Sequence, residues 1–197
     1  MSCRTPSRLP DDETISRSPS AVGSPLDGLE GLDVCHRQML FSLGKLSALI
    51  ARLATFGPDA DARETAREIS DFFSTTVRLH HEDEERHVLP KMLAAGDPEL
   101  VQAVRRLQTD HGWLEENWRE LSPHVAAVAS GQSWYDLDLL RDGAAVFTAL
   151  LHDHIALEES LIHPQARDRM RGAERREMGR EMAARRRALR ALDAHKA

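Results

Sequence analysis

A repeated pattern constrains the fold of this chain more than any other feature of its sequence. Residues 73–90 read FSTTVRLHHEDEERHVLP, and residues 147–164 read FTALLHDHIALEESLIHP. A phenylalanine, a histidine, two adjacent glutamates and a proline recur in register, and the first glutamate follows the histidine by four residues. Residues four apart lie on one face of an α-helix, and the phenylalanine lies two turns earlier on that face. The repeat therefore predicts two helices whose His–Glu pairs point toward the core.

These pairs are His80 with Glu84 and His154 with Glu158. One such pair alone is usually a contact on a helix surface. Two copies in register with an apolar stripe favour burial, and an unpaired buried carboxylate or imidazole costs several kcal/mol. We therefore expect a positively charged group between the two pairs.

Helix-breaking residues divide the rest of the chain. Gly57-Pro58, Gly96-Asp97-Pro98 and Gly131 interrupt segments in which apolar residues recur every three or four positions. Asp97 is expected to cap the helix that begins at Pro98. Short connections force neighbouring helices to run antiparallel, so the sequence predicts an all-α fold, an up-and-down antiparallel four-helix bundle. The predicted helices are 29–56, 59–95, 98–130 and 135–165, followed by a basic fifth helix at 172–193.

Composition suggests three parts: a flexible N-terminal arm (1–28), the bundle (29–165) and a C-terminal basic helix (166–197). Residues 171–197 hold nine Lys and Arg against four Asp and Glu, whereas the whole chain has a net charge of −6. The acidic body makes nucleic acid an unlikely partner, and the basic helix is a candidate surface for a protein partner. No apolar run of membrane-spanning length or signal peptide is evident, and two cysteines cannot form a disulfide framework. We expect a cytoplasmic protein without a membrane partner.

The distances from each turn place four histidines and a glutamate at one height in such a bundle. His36 and His80 each lie 21 residues from the turn between the first two helices, and His111 and His154 each lie 20 from the third turn. Glu84 and His111 lie 12 and 13 residues from the second turn. Helices that run up and down bring residues equally distant from a turn together. With Glu158, the sequence predicts one layer of six donors.

The donor types indicate the metal. Imidazoles and carboxylates without a thiolate suit iron or manganese, and zinc less specifically. Six donors are too many for one tetrahedral zinc, but they suit two octahedral ions that share bridging carboxylates. The ferritin-like alternative uses paired Glu-x-x-His motifs, and Glu84-x-x-His87 has no second copy here.

Residues 29–165 resemble the hemerythrin-like HHE cation-binding family. The matching residues are His36, His80-x-x-x-Glu84-Glu85, His111 and His154-x-x-x-Glu158-Glu159. The resemblance implies two iron ions, oxo- or hydroxo-bridged, which Mn or Zn can replace. The spacing is closest to the iron–sulfur repair di-iron group, although a cysteine-bearing N-terminal module often found there is missing.

The sequence departs from the oxygen-carrying members at Glu115, where they have a second histidine four residues after the first. Either Glu115 is a ligand or the second iron lacks one. We include Glu115 with the predicted ligands, as a carboxylate that would favour ferric iron and disfavour reversible oxygen carriage. His81 and His152 are expected to point away from the core. Glu85 and Glu159 are expected either in solvent or hydrogen-bonded to ligand histidines. The predicted ligands are His36, His80, Glu84, His111, Glu115, His154 and Glu158.

Three functions remain open at this point. The chain is expected to bind or sense O2, NO or peroxide, to act as an enzyme of oxidative or nitrosative stress, or to donate or scavenge iron. All three use the same ligands and differ in access and redox potential.

Overall fold

The computed structural model describes residues 27–194, which form helices and no strand. The predicted arm therefore lies almost wholly outside the described residues. Five helical segments follow one another: α1 (Gly28–Phe56); α2 (Ala60–Asp71) continued by π1 (Phe72–Val77), α3 (Arg78–His87) and α4 (Leu89–Ala94); α5 (Pro98–Ala129); α6 (Leu137–Leu157) continued by π2 (Glu158–Ile162) and α7 (His163–Arg169); and α8 (Gly172–Ala194).

The turns lie where the helix breakers predict them. Gly57, Gly96 and Gly131 have φ values of 72°, 69° and 70°, a left-handed conformation that glycine adopts without steric cost. The Asp97 side chain accepts a hydrogen bond from the Glu99 backbone N–H, which confirms its predicted capping role. Local sequence thus sets the ends of the first three segments to within one or two residues.

Two segments are less regular than their apolar pattern predicts. The second contains π1 and a break at Val88, just before Pro90, and the fourth contains π2 and ends at Arg169 instead of 165. The ring of Pro90 removes a backbone donor, which accounts for a break at this place. α5 continues through Pro123 without interruption.

The segments surround two apolar clusters with a polar layer between them. α1 packs against α2, α6 and α8, while α5 packs against α2 and α6. The first apolar cluster contains Leu32, and the second contains Met39. α1 runs from the first cluster, past His36, into the second. α5 runs in the same order, from Leu107 in the first cluster, past His111, to Leu114 in the second. The second and fourth segments run in the opposite order, from the second cluster to the first. Each segment therefore contributes polar residues at the boundary between the clusters.

The basic helix α8 belongs to the core. Met178 and Met182 are buried, and a Cβ added to Gly28 of α1 would lie 2.5 Å from the Met178 side chain. The buried carboxylate of Asp83 accepts hydrogen bonds from Arg185 and, at 2.7 Å, from Arg186. Arg185 and Arg186, two of the basic residues of α8, thus form ion pairs within the chain.

α1 is the one helix of residues 27–194 that is long and apolar enough, by length and composition, to cross a membrane. Core helices of soluble proteins pass the same test. Here the apolar residues of α1 supply one wall of both clusters, from Leu29 to Leu53.

Candidate metal centre

Histidines and glutamates from four helical segments meet between the two apolar clusters. His36 comes from α1, His80 and Glu84 from α3, and His111 from α5. The fourth segment contributes His154, Glu158 and His163. His111 is 8% exposed, and the other six residues are at most 1% exposed. The structure thus brings together six of the seven predicted ligands and one further histidine.

Each glutamate directs its two oxygens toward different histidines. Glu84 Oε1 lies 3.2 Å from His80 Nε2 and 3.5 Å from His163 Nε2, whereas its Oε2 lies 3.5 Å from His111 Nε2. Glu158 Oε2 lies 3.1 Å from His36 Nε2, and its Oε1 lies 3.0 Å from His154 Nε2.

The histidines accordingly divide into two groups. The first histidine set is His36, His80 and His163, in which the Nε2 atoms of His36 and His80 are 3.2 Å apart and the His36 and His163 rings stack at 5.0 Å. The second histidine set is His81, His111 and His154, whose candidate ligand atoms lie within 4.8 Å of one another. Glu84 and Glu158 each give one oxygen to each set.

The inner atoms of this cluster lie close to one another but without hydrogen-bonding geometry. Within residues 27–194, no hydrogen-bond partner satisfies either oxygen of Glu84 or Glu158, or the Nε2 atoms of His81, His111, His154 and His163. Unpaired buried polar atoms are rare and costly, and two buried carboxylates repel each other. Inward-facing nitrogens and carboxylate oxygens with no protein partner are the donors that bound cations need, so the residues fit a metal centre.

Carboxylates outside the cluster orient three of the rings, and one of these is His163, whose Nδ1 donates to Asp33 Oδ1 at 3.0 Å. His36 Nδ1 donates to Glu159 Oε1 at 3.1 Å, and His111 Nδ1 donates to Glu85 Oε1 at 3.0 Å. An ionised carboxylate only accepts, so the proton lies on Nδ1 and the Nε2 lone pair points inward. Glu85 and Glu159 hold equivalent places in the repeat, and the structure gives them the second of the two predicted roles.

The buried charges shift one another's pKa values. Burial alone would raise the pKa of Glu84, but the neighbouring His80, His111 and His163 outweigh it and hold this pKa well below its ordinary value. Burial lowers the pKa of His163, yet its hydrogen bond to Asp33 and the nearby Glu84 carboxylate prevail and raise it to about 9. His36 and His111 also have raised pKa values, since the carboxylates outweigh burial. A proton on His163 offsets the carboxylates in the metal-free chain, and a metal must displace it.

Comparison with known proteins identifies the family. Residues 27–166 match the hemerythrin HHE cation binding domain. The chain belongs to the hemerythrin HHE family. It is also 30% identical over 158 residues to an uncharacterized protein of Haemophilus influenzae, covering 80% of this chain and 89% of that one. The family match and the cluster together make this a metal-binding protein. The match ends before α8, so the docked basic helix lies beyond the hemerythrin HHE domain.

His163 is one of two residues of this hemerythrin HHE domain that sequence reasoning missed. In an α-helix, residue 163 would lie well away from Glu158, since five residues turn about 500°. Here π2 intervenes, and the His163 backbone N–H donates to the Glu158 carbonyl, five residues earlier. One π turn therefore places the two side chains on the same face. The sequence signal was weak: a histidine next to the proline that closes the repeat.

His81 was expected to point away from the core, but its ring stacks on His111 at 4.1 Å and its Nε2 atom is buried. Neighbouring residues on a helix point about 100° apart. His80 and His81 can therefore lie on either side of the direction that faces the core, each near a different histidine set. Burial, and then the nearby His111, hold the pKa of His81 well below its ordinary value. His81 therefore completes the second set.

Glu115 does not join the cluster. It is exposed on α5 and lines a cavity, while His81 occupies the space beside His111. The expectation that a carboxylate at this position favours ferric iron therefore loses its structural basis.

The other histidines of residues 27–194, and Cys35, lie outside the cluster. His152 is exposed, as the repeat predicts, and His87 lies near Arg185 of α8. Cys35 is a buried free thiol, and burial raises its pKa to about 12, which is typical of a structural cysteine. His195 lies outside the described residues.

Proposed function

We propose that this hemerythrin HHE protein holds two iron ions in an up-and-down antiparallel four-helix bundle, and binds or senses O2, NO or peroxide there. The observation that carries the proposal is the bridging arrangement of Glu84 and Glu158, each with one oxygen toward each histidine set. The alternating passage of the helical segments between the two apolar clusters supports the antiparallel bundle.

The donor count supports two ions. Each would receive three imidazole nitrogens and one oxygen from each bridging carboxylate. Beyond these five protein donors, the sixth position of each ion would go to an oxo or hydroxo bridge or to a small exogenous ligand. Nitrogen and oxygen donors without thiolate favour iron, with manganese or zinc as substitutes. The bound iron would supply ligand binding and electron exchange.

The protein groups control access and orientation. The first histidine set is fully buried, whereas His81 and His111 of the second set border an open cavity. A small ligand would therefore enter on the side of the second set. The enclosed first set argues against an iron donor or scavenger. The cavity favours, as the second candidate, an enzyme of oxidative or nitrosative stress.

We also propose a cytoplasmic location, in keeping with the buried free thiol of Cys35. Exposed arginines of α8, Arg187 and Arg190, would be the contact points for a protein partner. No nucleic acid or membrane partner belongs to the proposal.

Anaerobically reduced, iron-loaded protein tests the function. Addition of NO, O2 or peroxide should change its optical spectrum within seconds. His154→Ala, which removes a buried donor of the second set, should lose iron and this response, whereas the exposed His152→Ala should keep both. Unchanged spectra with all three ligands would refute small-ligand binding, and loss of iron in His152→Ala alone would refute the ligand assignment.

A further inference from the structure

A large cavity opens between α3 and α5 beside the second histidine set. Its volume is about 870 Å³, and His81 and His111 form part of its wall. Pockets for small organic molecules measure roughly 300–1,000 Å³. O2, NO and peroxide have two heavy atoms each, so the cavity is much larger than any of them requires.

One wall of the cavity is aromatic. The Phe73 ring lies 5.0 Å from Trp118 and 5.1 Å from Phe147, and the three rings are mutually tilted. Trp118 Nε1 donates to Ser74 Oγ at 3.1 Å, so the indole N–H already has a partner. Trp118, at 9% exposure, presents more surface than Phe73 or Phe147, so the wall favours edge-on or stacked contact of one further aromatic ring with its indole.

The charged residues around the cavity balance in sign. Arg78 pairs with Glu82 at 2.5 Å, Arg119 pairs with Glu116, and Glu85 is engaged by His111. The arginines and glutamates that line the cavity number three each: Arg78, Arg86, Arg119, Glu82, Glu85 and Glu115. Neither sign prevails, so an ionised ligand would gain little over its hydration in water.

We propose that this cavity binds an uncharged aromatic molecule of one or two rings beside the second histidine set. The significance of this position rests on the proposed di-iron function. Binding itself depends on the aromatic wall and the volume, which are present without metal. The molecule would thus lie where the small ligand enters and would control access to His81 and His111.

Calorimetric titration of the full chain with 2-naphthol tests the proposal, with 2-naphthoate as the charged analogue. For a ligand of this size we expect a Kd on the order of 100 µM for 2-naphthol, and binding at least about tenfold weaker for 2-naphthoate. Both metal-free and iron-loaded protein should bind 2-naphthol.

Variants that fill the cavity with a larger side chain test where 2-naphthol binds, and one of them has a matched control. Ser122 lines the cavity, and its hydroxyl bonds only its own helix, at Arg119 O. Ser122→Trp should weaken 2-naphthol binding at least about tenfold without changing the iron content. Ser47→Trp is the control, because Ser47 is exposed on α1 and its hydroxyl likewise bonds its own helix, at Leu43 O. Glu115→Trp, at an exposed lining position, is a second filling variant if Ser122→Trp does not fold.

Failure of this inference can be distinguished from failure of the proposed function. No binding of 2-naphthol at millimolar concentration, equal binding of 2-naphthoate, or undiminished binding by the filled variants would overturn the inference. The iron content of the same samples reports on the di-iron proposal independently. Naphthol binding by protein that fails to take up two iron ions on reconstitution would refute the di-iron centre and leave the cavity site standing.

Discussion

The most informative single substitution is His163→Leu, because leucine occupies the equivalent position of the other repeat, Leu89. In the metal-free chain, Asp33 and Glu84 raise the pKa of His163 from 6.5 to about 9. Folding therefore takes up a proton between these values. At 1.36 kcal/mol per pKa unit, the protonated ring contributes about 3 kcal/mol to the free energy of unfolding.

The sign of the pH dependence follows from the raised pKa. The contribution is fully present below pH 6.5 and is lost as pH rises through 9. Urea denaturation of metal-free protein at pH 6 and pH 9.5 should therefore show that the stability difference between wild type and His163→Leu shrinks by about 3 kcal/mol. His152→Leu, at an exposed position, should show no such change. An equal difference between wild type and His163→Leu at both pH values would refute the reasoning.

The same variant distinguishes a ligand from a supporting residue. Loss of a residue that only orients a ligand typically weakens metal binding 10–100-fold. Competition with a chelator should show a larger loss in His163→Leu, confined to one of the two ions. A loss of metal affinity of only about 10–100-fold would show that His163 orients Glu84 and is not itself a ligand.

Two further predictions concern the fold around the centre. Replacing Arg185 and Arg186 with alanine leaves the Asp83 carboxylate buried without a partner, which should lower the free energy of unfolding in urea by about 3–5 kcal/mol. Adding Asp83→Asn should recover most of this stability. Failure to recover it would show that α8 docks by other contacts. The Cys35 thiol should not react with a thiol reagent in the folded protein, because it is buried and its pKa is raised to about 12. Labelling at the same rate in native and urea-unfolded protein would contradict this burial.

The sequence predicts the helices and turns well because their determinants are local. Glycine in a left-handed conformation and an aspartate cap act over a few residues, so Gly57, Gly96 and Asp97 could be interpreted without tertiary contacts. The inward faces of α3 and α6 were also readable, because the repeat presents the same register twice.

The ligand set was only partly readable because tertiary packing alters helical phase. The π turn at π2 brings His163 inward, and nothing in a regular 3.6-residue period indicates it. Likewise, whether Glu115 or His81 lies beside His111 depends on how α3 approaches α5. The docking of α8 depends on Asp83, a single acidic residue among several, whose burial no local pattern reveals.

The metal content of aerobically purified protein, produced with ample iron, tests the central claim most directly. Two histidine sets that share Glu84 and Glu158 predict close to two iron ions per chain, with the near-ultraviolet absorption of an oxo-bridged ferric pair. One metal ion per chain, or a single zinc in place of iron, would contradict the dinuclear centre.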